Sequence, residues 1–231
     1  MILGVLHARM SSRRMPGKAL APILGEPMII RQLERLRQAR SLDRLVVATG
    51  RDHADDPLAA YLQQRDIPVF RGDADDAVAR CAQAAAWAAE TSGPVTHVAR
   101  FFCDNPLIDP LAIDAAVTLA EVSGAAYVGS GEHGGVEVVT AEALAQAAAE
   151  PRETRDRLDL RFYFGRQADR YARAELDDAA PRWTVDTPSD FAFVQAAYEA
   201  LHPTRPDFGT QDVLSWLCAR DHAGVRPAKA A

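Results

Sequence analysis

The sequence is short of cysteine, of long apolar runs and of net positive charge. Its three cysteines, Cys81, Cys103 and Cys218, are odd in number and widely spaced. That excludes a disulfide framework and matches no zinc-ligand spacing, so a reducing compartment, the cytoplasm, is expected. No stretch approaches the length that spans a bilayer, and no basic flank precedes a signal-like apolar run at the N-terminus. A membrane partner is therefore not expected. Lysine and arginine number 26 against 32 acids, a net charge of -6, which argues against general nucleic-acid binding. The glycine signatures of phosphate loops are missing as well. Neither G-x-x-x-x-G-K-[ST] nor G-x-G-x-x-G follows the first strand-like run.

What is present reads as one α/β domain. A chain of 231 residues, 48% of them hydrophobic, can bury a sizeable core. Ile2-Leu3-Gly4-Val5-Leu6 reads as a buried first strand and Met28 to Arg40 as a helix. Strand patterns then recur at Arg44 to Gly50, Ile67 to Phe70, Val95 to Phe101, Ala125 to Gly129 and Val136 to Val139. Helical patterns lie between them at Asp55 to Gln64, Asp75 to Glu90, Asp109 to Val122 and Thr140 to Glu150. This alternation predicts a mostly parallel sheet with helices on both faces. The span Pro151 to Arg173 has no clear period and yields no assignment. Val225 to Ala231 is expected to fray, leaving 1-224 as the domain.

The loop after the first strand concentrates charge. Leu6 to Lys18 carries Arg9, Arg13, Arg14 and Lys18, two serines and no acid. Loops leaving strand ends in α/β proteins sit where ligands bind. Guanidinium forks, an ammonium and loop N–H groups suit a polyphosphate, although a solvated basic turn is the plainer reading. Two acids follow other strand-like runs. Asp104 follows the fourth strand, where a turn acid beside Asn105-Pro106 is the plain alternative. Asp186 is expected just past a strand ending at Val185. In Thr187-Pro188-Ser189-Asp190, the spacing makes Thr187 an N-cap and Asp190 its capping-box acid. That leaves Asp186 either as a free loop acid or as a partner of Asp104 across a crevice. Such a pair would suit magnesium, which takes one or two carboxylates along with phosphate oxygens.

Taken together these stretches resemble the cytidylyltransferases that activate acidic sugars, the spore-coat polysaccharide type most nearly. The resemblance runs through Ala8-Arg9-Met10-Ser11-Ser12-Arg13-Arg14-Met15-Pro16-Gly17-Lys18 and Gly25-Glu26-Pro27-Met28. It continues through Val69-Phe70-Arg71-Gly72 with Asp76 and Arg80, through Arg100 with Asp104 to Pro110, and through Asp186-Thr187-Pro188 with Asp190. It implies a Rossmann-like three-layer sandwich of the nucleotide-diphospho-sugar transferase type, with a small strand-rich acceptor and dimerisation insertion at roughly 130-175. It also implies a homodimer whose partners are CTP and a small acidic acceptor, with Mg2+ as cofactor.

By the resemblance, Asp104 and Asp186 are metal ligands and, with Arg14 and Lys18, catalytic. Ala8, Arg9, Ser12, Arg14, Lys18, Arg71, Asp76, Arg80 and Arg100 would bind the nucleotide. Glu137, Arg155 and Arg157 would face the acceptor. The pattern departs in three places. Cys103 replaces a glycine before the first acid, Gly134-Gly135-Val136-Glu137-Val138 lacks an aspartate, and Arg155-Asp156-Arg157-Leu158 lacks a histidine. The triphosphate end matches and the acceptor end is altered. The plainer reading of Arg152, Arg155, Arg157 and Arg161 is a segment laced with Arg–Asp pairs, and the alternative is a carboxylate clamp. Another nucleotidyltransferase of this fold and a non-catalytic nucleotide-binding relative are the rival functions.

Overall fold

The computed structural model describes residues 1-130, 135-150, 153-176, 181 and 183-222, with side chains to 220. The strands are β1 Ile2–His7, β2 Pro22–Ile23, β3 Glu26–Pro27, β4 Arg44–Gly50, β5 Val69–Gly72, β6 His97–Phe102, β7 Tyr127–Gly129, β8 Glu137–Thr140 and β9 Arg173–Glu175. The helices are α1 Met28–Leu36, α2 Asp56–Gln63, α3 Ala77–Ser92, α4 Pro110–Ser123, α5 Ala141–Ala149, α6 Leu160–Arg166, α7 Pro188–Leu201 and α8 Thr210–His222.

Seven strands form one sheet in the order β5-β4-β1-β6-β8-β7-β9, and β2-β3 form a small hairpin. β5, β4, β1 and β6 run parallel, while β8 is antiparallel to both of its neighbours. Alternate side chains of each strand point to opposite faces. Leu3, Val5, Val46, Ala48, Val98 and Val139 pack with α3, α5 and α6, whereas Leu6, Val47, Ala99, Phe101 and Val138 pack with α1, α2, α4 and α7. Both faces are covered, so the parallel strands read as near-continuous apolar runs.

After β1 the chain builds β4 and β5 on one side and then returns to add β6 on the other. The strand order therefore reverses between β1 and β6, which opens a crevice at their carboxyl ends. The loop after β1 and Asp104 after β6 both leave from that crevice.

Two expectations need correction, and one unassigned span gains its elements. α1 stops at Leu36 rather than Arg40. Its end tightens into a narrower turn, with Gln38 N–H on the Arg35 carbonyl at 2.9 Å. Val185 is fully buried but lies in no strand, because its apolar neighbourhood reflects packing under α7 rather than ladder pairing. The span that resisted assignment contains α6 and runs into the start of β9. An aromatic cluster of Tyr127, Tyr163, Phe164 and Tyr171 anchors it, and Arg166 pairs with Glu153 and Asp156 on its charged side. Gly131 to Gly134, Arg152 and the expected tail from Val225 lie outside the described residues.

Candidate active site

The basic loop is tied to a neighbouring strand at its start and closed by its own backbone farther on. Ala8 N–H reaches the Ala48 carbonyl at 3.1 Å, which extends the β1-β4 ladder by one step. Met10 then turns the chain, and its carbonyl accepts Gly17 N–H at 2.9 Å. Gly17 stands at φ 75°, in the left-handed region that favours glycine. Arg9, Ser11, Arg13 and Arg14 are exposed along this loop.

Lys18 leaves the loop inward. Its ammonium donates to the Val185 carbonyl at 2.7 Å and lies 3.8 Å from Asp186 Oδ1. Arg14 Nη2 meets the same carboxylate oxygen at 2.9 Å. Val185 N–H in turn donates to the Asp104 carbonyl at 2.7 Å. One point on the rim thus gathers the first loop, the end of β6 and the entry to α7.

Asp190 holds Asp186 in place. Its Oδ2 accepts the N–H groups of Asp186 and Thr187 at 3.0 and 2.7 Å and the Thr187 hydroxyl at 2.8 Å, completing the expected capping box. Burial pushes the Asp190 carboxyl up, but these hydrogen bonds and the Arg14 charge outweigh it and hold the pKa below the ordinary value.

The cytidylyltransferase family matches residues 3-192. This chain belongs to it. Over 232 residues the cytidylyltransferase is 28% identical to the spore coat polysaccharide biosynthesis protein SpsF of Bacillus subtilis (strain 168), covering 94% of this chain and 93% of that one. A solved cytidylyltransferase from Leptospira borgpetersenii serovar Hardjo-bovis (strain JB197) superposes with a TM-score of 0.85 at 22% identity, over 100% of this chain and 98% of the other. CMP:2-keto-3-deoxy-manno-octonic acid synthetase, solved with CTP, superposes with a TM-score of 0.68 at 16% identity, over 86% and 98%.

Other expected site residues of the cytidylyltransferase fall into two groups on the rim. Beyond β4, Arg71 is occupied by protein: Nε donates to the Gly50 carbonyl at 2.9 Å, Nη2 to Asp52 at 3.0 Å, and Nη1 pairs with Asp56 at 2.6 Å. Asp76 caps α3 by accepting Ala79 N–H at 2.7 Å. Arg80, buried, donates to the Asp73 and Ala74 carbonyls, so it frames the β5 end. A small hollow of about 50 Å³ opens there between Arg9, Ser11, Gly50, Asp55, Ala74 and Arg80.

On the other side, Arg100 is fully buried and gives Nη1 to Glu137 at 2.8 Å and Nη2 to the Leu158 carbonyl at 2.6 Å. Tyr127 donates its hydroxyl to the other Glu137 oxygen at 2.8 Å. An expected nucleotide residue and an expected acceptor residue are therefore one ion pair. Arg155 stacks on Phe162 at 3.4 Å, and the Arg157 carbonyl accepts Val78 N–H. Asp156 is buried against Arg166.

Two further buried groups stand near these residues; from sequence, His7 is a candidate site residue whose plainer reading is an incidental histidine beside a strand, and Asp55 is the start of a helix. His7 ends β1, and its Nδ1 lies 3.2 Å from Arg80 Nη2. Arginine only donates, so Nδ1 accepts and Nε2 carries the proton. Burial, then the Arg100 and Arg80 charges, hold its pKa well below the usual value, so the ring is neutral. Asp55 is the other, 4% exposed and bonded to two backbone N–H groups from different loops. Sequence shows neither set of contacts, because Arg80 lies 73 residues from His7 and Met10 lies 45 residues from Asp55. Among the described residues, no group of three histidines, cysteines or acids is arranged for a metal. No described helix is long and apolar enough to cross a membrane.

Proposed function

We propose that this cytidylyltransferase joins CTP to a hydroxyl of a small acidic sugar, giving a CMP-linked product and pyrophosphate for surface-polysaccharide synthesis. The carrying observation is the meeting of Arg14, Lys18 and Asp186 beside the Asp104 carbonyl at the strand-order reversal. Polyphosphate ligands need such a concentration of cations, and magnesium takes one or two carboxylates along with phosphate oxygens. Asp104 and Asp186 would hold that ion, the remaining ligands coming from phosphate oxygens and water. When bound, it would neutralise phosphate charge and acidify the attacking hydroxyl.

The chain's own residues do the positioning. Arg9, Ser12 and the loop N–H groups would seat the triphosphate of the incoming nucleotide. Arg14 and Lys18 would take up charge on the departing pyrophosphate, an arrangement that stabilises the transition state through fixed donors. Ala8, Arg71, Asp76 and Arg80 would shape the nucleoside side, from backbone and second-layer positions. Arg100 and Glu137 would wall the acceptor side, with Arg155 and Arg157 on its outer edge. That side lacks the family's usual aspartate and histidine, so its acceptor is expected to differ from the common keto-sugar.

The enzyme would act as a homodimer in the cytoplasm. Three unbridged cysteines support the reducing compartment. Incubation with magnesium, each of CTP, GTP, UTP and ATP, and a panel of acidic sugars tests the reading. Pyrophosphate release with CTP and one acidic sugar is the expected result. Release only with another nucleotide, or CTP binding with no release on any acceptor, would overturn it.

A further inference from the structure

Asp55 bridges two loops that share no sequence neighbourhood. Its Oδ1 accepts Met10 N–H at 2.7 Å and its Oδ2 accepts Gly50 N–H at 2.9 Å. The carboxylate is 4% exposed, and both contacts are charge-assisted bonds to backbone donors. Gly50 allows the approach, since a Cβ there would stand 2.6 Å from Asp55 Oδ2.

Met10 is the pivot of the basic loop. Its N–H is held by Asp55 and its carbonyl by Gly17 N–H, so the loop closure and the Asp55 contact meet at one residue. Asp55 itself sits on a braced support. Arg71 ties the Gly50 and Asp52 carbonyls together and pairs with Asp56. The turn from β4 to α2 is thus fixed on one side by Arg71 and on the other by Asp55, and the basic loop hangs from it.

We propose that Asp55 is a positioning residue that presets the basic loop for the triphosphate before any nucleotide arrives. This rests on the nucleotide reading of the loop. Without the latch, the backbone that carries Arg9 and Arg13 would sample many orientations, and binding would bear the cost of ordering it. The cost falls on phosphates reached by the loop, not on the nucleoside. Loss of the latch should therefore weaken CTP more than CMP. A general loss of stability would not separate the two ligands.

The experiment compares wild type with Asp55→Ala and Asp55→Asn, the latter keeping one acceptor and the side-chain shape. Amide hydrogen exchange on nucleotide-free protein reads the latch directly. Exchange at Met10, Gly17 and Gly50 should speed up about tenfold or more, with α3 amides unchanged. Calorimetric titration with magnesium and CTP, then CMP, reads its consequence. CTP affinity should fall about tenfold, with CMP affinity within about twofold. Unchanged exchange at Met10 and Gly17, or equal losses for CTP and CMP, would overturn the proposal. Wild type that binds neither CTP nor CMP would instead sink the nucleotide reading, and hydrogen exchange would still decide the latch.

Discussion

Arg14 reaches Asp186 across the crevice, its Nη2 2.9 Å from the carboxylate. The pair joins an exposed part of the first loop to the entry of α7, late in the chain. With Arg14 64% exposed, its worth to stability is small, roughly 0–1 kcal/mol. Its value lies in setting a cation beside an acid where a nucleotide and a metal would exchange for both.

Lys18 and Arg14 should therefore separate in their effects. Lys18 is 13% exposed and bound to the Val185 carbonyl, so it holds one geometry. Lys18→Ala is expected to lower kcat by about 100-fold, as loss of a fixed transition-state donor does. Arg14→Ala, at a more exposed and less fixed cation, should lower kcat less than Lys18→Ala and also raise the KM for CTP. Steady-state pyrophosphate release reads both constants, and equal effects on KM alone would contradict the assignment.

The Arg100–Glu137 pair should be costly to break from one side. Arg100 has no exposed side-chain surface, and Glu137 has 13%. Glu137→Ala leaves a buried guanidinium without its carboxylate and is expected to cost about 3–5 kcal/mol. Urea unfolding measures it, and a loss below about 1 kcal/mol would show that water reaches Arg100 freely.

Acid should release the cap under Asp186. The Asp190 pKa is lowered in the folded protein, so its contribution is present above the usual 3.8 and is lost as pH falls through the lower folded value. Asp190→Asn should melt lower than wild type at neutral pH. The gap should shrink as pH drops below about 4. A gap that widens in acid would contradict the sign.

Much of this was legible from local pattern, and the rest depended on distant partners. The first loop showed itself because a buried strand hands directly to four cations, and the capping box showed itself through a three-residue spacing. Asp104 and Asp186 appeared as acids after apolar runs, but only the fold links them, through the Val185–Asp104 bond. Arg71 and Arg80 have the right chemistry for phosphate, yet backbone carbonyls claim their N–H groups. Residue type cannot reveal such claims. Asp55 looked like part of a helix start, and its contact with Met10, 45 residues away, is the one that local pattern cannot show. Val185 was mistaken for a strand end because burial and pairing leave the same apolar trace.

The central claim is that two acids from the ends of separate segments serve one nucleotidyl transfer. Pyrophosphate release from CTP, with magnesium and the accepted sugar, should drop at least about 100-fold in Asp104→Asn and in Asp186→Asn, with melting temperatures near wild type. Near-normal turnover in both folded variants would contradict it.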